Sequence, residues 1–268
     1  MRDVDASDSA AGLSRERDLL AATTQAAGEL AFRMFRTSLK TWTKGMSSPV
    51  SEADIAVNAL IEQRLRAVTP DYGWLSEESA DDAARLARRR VWIVDPIDGT
   101  RSYLAGRDDW CVSLALVEDA RPLLAAVFAP ARDEFYLAAR GGGATLNGRP
   151  IQAAPGTAID YARVAGPKPL VERLGRLPWG TALHPRIGSL ALRLCRIGDG
   201  ALDVAFAGGN SHDWDIAAAD LIVHEAGGNM TALSGDPVGY NHRDAKHDAL
   251  VAAGNERHRA IIARLGTK

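Results

Sequence analysis

The sequence holds only two cysteines, Cys111 and Cys195. Both lie inside apolar runs, so they read as buried thiols, and no disulfide framework is implied. Neither sign of charge is in excess. There are 32 Lys and Arg against 34 Asp and Glu, a formal net charge of -2 and a pI near 6.3. That balance argues against a nucleic-acid polymer as partner, which would favour a basic stripe. It also means that any bound phosphate must draw its positive charge from local sources. No apolar stretch is long enough to span a bilayer. Met1 to Ala11 lacks the basic and apolar regions of a secretory signal. No membrane partner and a cytoplasmic location are therefore expected. None of the six histidines has zinc-site spacing with a cysteine or another histidine. Internal repeats and low-complexity linkers are missing as well.

What remains is a 268-residue chain, 46% hydrophobic and 25% charged. That composition supports a large core, in one domain or in two tightly packed halves. Residues 1 to about 12 read as a loose tail. The spacing of Leu19, Leu20, Ala26, Ala27, Leu30, Met34 and Phe35 predicts a helix from Leu13 to Leu39. A second helix is expected from Glu52 to Val68, with Ser51 as N-cap and Pro70 as its stop. The polar stretch Lys44 to Pro49 between them reads as a loop or hairpin. Val91 to Val94 reads as a buried strand ending at Asp95. Cys111 to Glu118, Leu123 to Phe128 and Glu134 to Ala139 follow with short turns between them, which predicts an antiparallel sheet. From about residue 155 strands (Tyr161 to Ala165, Ala201 to Ala207) alternate with helices (Pro169 to Leu177, Ser189 to Ile197, Ile216 to Ala226, Glu256 to Leu265). That alternation suggests an α/β half. The expected division is thus a tail over 1–12, an α+β half over 13–154 and an α/β half over 155–268.

Chemistry concentrates in Asp95-Pro96-Ile97-Asp98-Gly99-Thr100. Pro96 fixes φ, and Gly99 permits backbone geometry that other residues resist. Such a turn can aim two carboxylates at one point, and a helix starting after Gly99 would offer free N–H groups to an anion. An isolated Asp-x-x-Asp would more often be a capped strand-to-helix turn. Glu77-Glu78-Ser79 upstream, Asp54 on the second helix and Asp213-Trp214-Asp215 downstream add further carboxylates. Each by itself reads as a helix start or cap. Together they form an oxygen-only donor set, which suits a hard cation such as Mg²⁺. His212, near Asp215, reads as a hydrogen-bonding or surface residue.

Three motifs carry a resemblance: Trp92 through Thr100, Trp214-Asp215-Ile216-Ala217-Ala218 through Glu225-Ala226-Gly227-Gly228, and Glu77-Glu78-Ser79. From about residue 13 onward the chain resembles the inositol monophosphatase superfamily of Mg²⁺-dependent, Li⁺-sensitive phosphatases. The resemblance implies a layered αβαβα sandwich, α+β and α/β, of the inositol monophosphatase and fructose-1,6-bisphosphatase type. It also implies two to three Mg²⁺ ions and, in many members, a homodimer. Glu77, Asp95 and the Ile97 carbonyl would hold one ion. Asp95, Asp98 and Asp215 would hold a second, and a weaker third would sit near Glu77. Thr100, hydrogen-bonded to Asp54, would help Glu77 orient the attacking water. Asp98 and the Gly99 and Thr100 N–H groups would meet phosphate, and Gly188 and Ser189 would touch substrate.

The implied activity is hydrolysis of a small phosphate ester by metal-activated water. Inositol phosphatases carry a glutamate several residues before the Trp-Asp pair, and here Gly208 stands at that position. Leu190 stands where a small residue is usual. Ser48 to Ala56 and Ala207-Gly208-Gly209 look instead like the 3′(2′),5′-bisphosphate nucleotidases, whose substrate is 3′-phosphoadenosine 5′-phosphate. That branch is the expectation, with inositol 1-phosphate next, then histidinol phosphate or another sugar phosphate. A metal-binding scaffold without turnover is the non-enzymatic alternative. Lys168, Arg186 and Arg193 are the candidate cations for a second phosphate, each also readable as a solvated surface charge.

Overall fold

The computed structural model describes residues 4–44, 48–174 and 182–266. The first half contains α1 (Val4–Met34), β1 (Thr41–Lys44), β2 (Ser48–Ser51), α2 (Glu52–Val68), β3 (Gly73–Ser76), β4 (Arg90–Asp98) and α3 (Thr100–Leu104). It continues with β5 (Cys111–Glu118), β6 (Arg121–Ala129), β7 (Glu134–Ala139), β8 (Ala144–Leu146) and β9 (Arg149–Pro150). The second half contains β10 (Arg163–Ala165), α4 (Lys168–Glu172), β11 (Ala182–Leu183), α5 (Leu190–Gly198), β12 (Val204–Ala207) and β13 (Ser211–His212). It ends with α6 (Asp213–Glu225), β14 (Gly228–Ala232), β15 (Lys246–His247), β16 (Leu250–Gly254) and α7 (Asn255–Gly266).

Strands β3 to β9 form a seven-stranded sheet in sequential order. Only the β3–β4 pair is parallel, so the expected antiparallel sheet gains a parallel edge. A second sheet has the order β11-β10-β12-β16-β14 and mixes parallel and antiparallel pairs. Strands β1 and β2 pair as an antiparallel hairpin, within which residues 45–47 lie outside the described residues.

Three apolar clusters glue five layers together. Helices α1 and α2 cover one face of the seven-stranded sheet through Leu20, Ile61, Trp92, Val94, Val112 and Leu114. Helices α5 and α6 lie between the sheets, where Val91, Ile93, Ala115, Ala205 and Ala252 meet Leu194 and Ile222. Helix α7 covers the outer face of the second sheet, with Val204, Phe206, Val251, Ala253 and Ile261. Successive strand residues point to opposite faces, so Val91/Trp92/Ile93/Val94 feed two cores alternately. A strand buried on both faces needs apolar residues at every position, which is why this one reads as an unbroken run. The architecture is the αβαβα sandwich.

Several boundaries differ from the sequence expectation. Residues 4–12, expected as a tail, continue α1 from Val4. The alanine-rich sequence there suits a helix. The helix ends at Met34, not Leu39, because Arg36 turns into left-handed backbone with φ 60° and donates to Gly106 O. Helix α4 stops at Glu172 rather than Leu177, and residues 175–177 lie outside the described residues. Strands β3, β14 and β16 have no strong sequence signal. The last holds Ala252-Ala253-Gly254, whose weak propensity is overridden by pairing with β12 and β14. Among the described residues no helix is long and apolar enough to cross a membrane.

Candidate active site

The expected turn from Asp95 to Asp98 is in fact the end of a continuous strand. Along β4 and its partner β5, Asp95 pairs with Ser113 and Asp98 pairs with Cys111. Three steps on one strand match two on the other, so one extra residue is bulged out. Residues three apart on a regular strand face opposite ways; the bulge restores them to one face. Val94 and Ile97 accordingly share one core, while Asp95 and Asp98 both turn away from it. The Ile97 N–H donates to Asp95 Oδ1 at 3.0 Å and steadies the bulge.

Two other elements converge there. The parallel register of β3 sets Ser76 beside Val94, and the Glu77 N–H donates to Val94 O at 3.2 Å. Glu77 therefore emerges next to Asp95. Helix α6 brings Asp215 from the interlayer space. Its Oδ2 accepts the His212 N–H at 2.6 Å, so Asp215 caps the helix as well as facing the cluster. His212 stacks on Trp214, with centroids 4.5 Å apart.

Oxygens of Asp95, Asp98 and Asp215 lie within 4.8 Å of one another. Glu77 is outside that trio but lines the same cavity of about 310 Å³, together with Ile97, Gly99, Thr100 and Gly188. Burial is the first cause that raises Glu77 from its ordinary 4.5 to about 8, with Asp215 and Glu78 adding to it. Burial likewise raises Asp98 from 3.8 to about 6, and Asp215 adds. Asp95 is pushed up by burial, then by Glu77, Asp98 and Asp215. Like charges forced together out of water hold their protons. A divalent cation would replace those protons, and the all-oxygen donor set fits Mg²⁺.

The Thr100 hydroxyl lies 3.4 Å from Asp54 Oδ1 and 3.0 Å from Ile97 O, so the carbonyl is its closer acceptor. Asp54 is buried at the start of α2, where its Oδ2 accepts the Ser51 N–H at 2.8 Å and hydroxyl at 2.5 Å. Burial raises the Asp54 carboxyl. Gly99 adopts φ 93°, and a Cβ there would press the Ser189 backbone N at 3.1 Å. Glycine is needed at that position on both counts.

Ser189, expected against substrate, is instead fully buried behind the cluster. Its hydroxyl donates to Asp98 Oδ2 at 2.6 Å, and the Ala191 N–H reaches the same oxygen at 2.6 Å. Gly188 does line the cavity. A Cβ on Gly188 would collide with the Ser102 hydroxyl. Sequence reading missed Asp109, whose Oδ2 accepts the Gly188 N–H at 2.5 Å and whose carbonyl accepts the Ser189 N–H at 3.0 Å. It also missed Lys44, which reaches from β1 to the Glu77 carbonyl and lies 3.6 Å from Glu78. Neither residue has a local signal, because each partner is far away along the chain. Lys168 is exposed and pairs with Glu172 at 3.7 Å, away from the cavity walls. Arg186 borders the carboxylate cavity.

The model of the inositol monophosphatase family matches residues 14–267. An inositol-1-monophosphatase of Rhizobium meliloti (strain 1021) is 34% identical over 207 residues, covering 74% of this chain and 77% of that one. A 3′-phosphoadenosine 5′-phosphate phosphatase of Mycobacterium bovis is 34% identical over 210 residues, covering 76% of this chain and 74% of its own. Among solved structures, the extragenic suppressor protein suhB from Bartonella henselae superposes with a TM-score of 0.81 at 26% identity. It covers 92% of this chain and 97% of its own.

Proposed function

The chain belongs to the inositol monophosphatase family of phosphoric monoester hydrolases, and we propose that it is a Mg²⁺-dependent enzyme whose preferred ester is 3′-phosphoadenosine 5′-phosphate, released as adenosine 5′-phosphate. The observation that carries the phosphatase reading is the convergence of Asp95, Asp98 and Asp215 within 4.8 Å at the wall of an open cavity.

Asp95, Asp98 and Asp215, with Glu77 and the Ile97 carbonyl, are the proposed holders of the metal. Mg²⁺ held there would neutralise phosphoryl charge and lower the pKa of a water molecule. Glu77 and Thr100 orient that water for in-line attack on phosphorus. Thr100 takes up the water's hydrogen bond while its own proton turns toward Asp54. The new P–O bond forms as the ester P–O bond breaks, the water's proton passes to the Glu77 carboxylate, and the leaving alkoxide takes a proton from solvent, so no covalent enzyme intermediate is required. Gly99 and Thr100 present backbone N–H groups to the phosphate oxygens at the start of α3.

Gly208 supports the bisphosphate choice, because the glutamate of inositol phosphatases is missing at that position. The 34% identity to an inositol-1-monophosphatase keeps inositol 1-phosphate as the second reading. Phosphate release from 3′-phosphoadenosine 5′-phosphate, inositol 1-phosphate and histidinol phosphate, each with and without Mg²⁺, tests both levels. Failure to release phosphate from any ester would remove the enzymatic reading. Faster release from inositol 1-phosphate would replace the substrate.

A further inference from the structure

We infer that Asn58 is a positioning residue for Glu77, acting through the two serine hydroxyls that flank the Glu77-Glu78 pair. The inference deepens the phosphatase reading and rests on it. The buried residues of α2 are Ala53, Asp54, Val57, Asn58, Ile61 and Leu65. Ala53, Val57, Ile61 and Leu65 join the core under the seven-stranded sheet. The two polar ones, Asp54 and Asn58, lie four positions apart, which puts them one turn apart on the same face. A buried amide costs stability unless its hydrogen bonds are met.

Asn58 meets them on the segment that carries Glu77. The Ser76 hydroxyl donates to Asn58 Oδ1 at 2.6 Å, and Asn58 Nδ2 donates to Ser79 Oγ at 3.1 Å. The Trp74 ring N–H donates to the same Ser79 oxygen at 3.1 Å. Ser76 Oγ in turn accepts the Glu78 N–H at 3.3 Å. One amide thus ties Ser76 to Ser79, with Glu77 and Glu78 between them. The Glu77 N–H is held by Val94 O at 3.2 Å, and its carbonyl accepts from the Lys44 ammonium. The backbone under Glu77 is therefore pinned from β4, β1 and α2.

Aim matters more at Glu77 than at the aspartates. Asp95 and Asp98 grow from β4, whose pairing with β5 fixes them. Glu77 lies just past the end of β3, where the ladder to β4 stops at Ser76 and Val94. Its carboxylate also stands one bond further from the backbone than an aspartate's, so a small shift of the turn moves it further. Side-chain bonds from Asn58 supply the restraint that strand pairing gives the aspartates. Asp54, one turn before Asn58, faces the Thr100 hydroxyl at 3.4 Å. Helix α2 so addresses both groups that orient the attacking water, and its rigidity sets the spacing between them.

The test compares wild type with Asn58→Leu, Asn58→Gln, Ser79→Ala, the double variant of Asn58→Leu with Ser79→Ala, and Ile61→Val as a control in the same helix. Leucine keeps the branched shape of asparagine and offers no hydrogen bond. Calorimetric titration with Mg²⁺ in the absence of substrate reads the metal site, phosphate release reads kcat and KM, and a melt in EDTA reads the fold. In Asn58→Leu, Mg²⁺ affinity and kcat should each fall about 10- to 100-fold, the usual worth of a group that orients a metal-holding side chain. KM for the ester should change little. Ser79→Ala should show part of that loss, and Asn58→Gln should recover part of it. The double variant should lose no more than Asn58→Leu, because both changes act along one path. Ile61→Val should lower Tm and leave Mg²⁺ affinity unchanged. Wild-type Mg²⁺ affinity in a folded Asn58→Leu, fully additive losses in the double variant, or an equal loss in Ile61→Val overturns the inference. If Asn58→Leu does not fold, Ser79→Ala decides alone, and an unchanged Mg²⁺ affinity there overturns it. Absence of phosphate release by wild type removes the phosphatase reading alone, since the Mg²⁺ titration reads Glu77 without catalysis.

Discussion

The Ser189 hydroxyl donates to Asp98 Oδ2 at 2.6 Å, joining residues 91 positions apart. With the Ala191 N–H on the same oxygen, it fixes the orientation of a carboxylate at the centre of the acidic cluster. Groups that aim a ligand from behind are worth about 10- to 100-fold in metal affinity. Ser189→Ala should raise the half-saturating Mg²⁺ concentration by that order while the protein stays folded. The measurement is a Mg²⁺ titration of phosphate release beside a thermal melt. An unchanged half-saturation point would show that Asp98 needs no such support.

Asp95 lies deepest in the cluster and neighbours Glu77, Asp98 and Asp215. Asp95→Asn keeps shape but removes a charge from a crowded site. Turnover should drop by several orders of magnitude. In EDTA the Tm should hold or rise, because like-charge repulsion is relieved. Near-normal hydrolysis by this variant would refute the metal-cluster mechanism.

The raised carboxyls set a stability slope. Glu77 moves from 4.5 to about 8 and Asp98 from 3.8 to about 6 on folding. The folded metal-free protein therefore holds protons that the unfolded chain has released, and stability falls as pH rises. The contribution of these two groups begins to fall above the unfolded values near 4 and is lost once Glu77 ionises near 8. Tm in EDTA should decline across that window, and saturating Mg²⁺ should flatten or reverse the decline. A Tm without metal that is constant or rises from pH 5 to 8 would contradict the electrostatics of the cluster.

Thr100 touches the Ile97 carbonyl and faces Asp54, and it lines the cavity without belonging to the carboxylate trio. Thr100→Val removes the hydroxyl at nearly constant volume. We expect kcat to fall about 100-fold or more, the usual worth of a positioned proton-transfer group. Half-saturating Mg²⁺ should change little. A rise in the Mg²⁺ requirement with kcat retained would reassign Thr100 to holding the metal.

The sequence by itself determined the donor chemistry: which carboxylates are available, that no sulfur or imidazole set competes, and that a glycine follows Asp98. It also determined α2, β5 and β7, whose limits follow from local cap, turn and apolar signals within a few residues. Only the tertiary structure decided that Asp95 and Asp98 share a face, because a bulge is defined by the partner strand and not by the strand that carries it. The same holds for Ser189 behind Asp98 and for Asp109 beneath Gly188. Those relationships link positions that chain connectivity leaves independent. They are fixed by how apolar layers stack, and the order in which residues are joined does not encode that stacking in any short stretch.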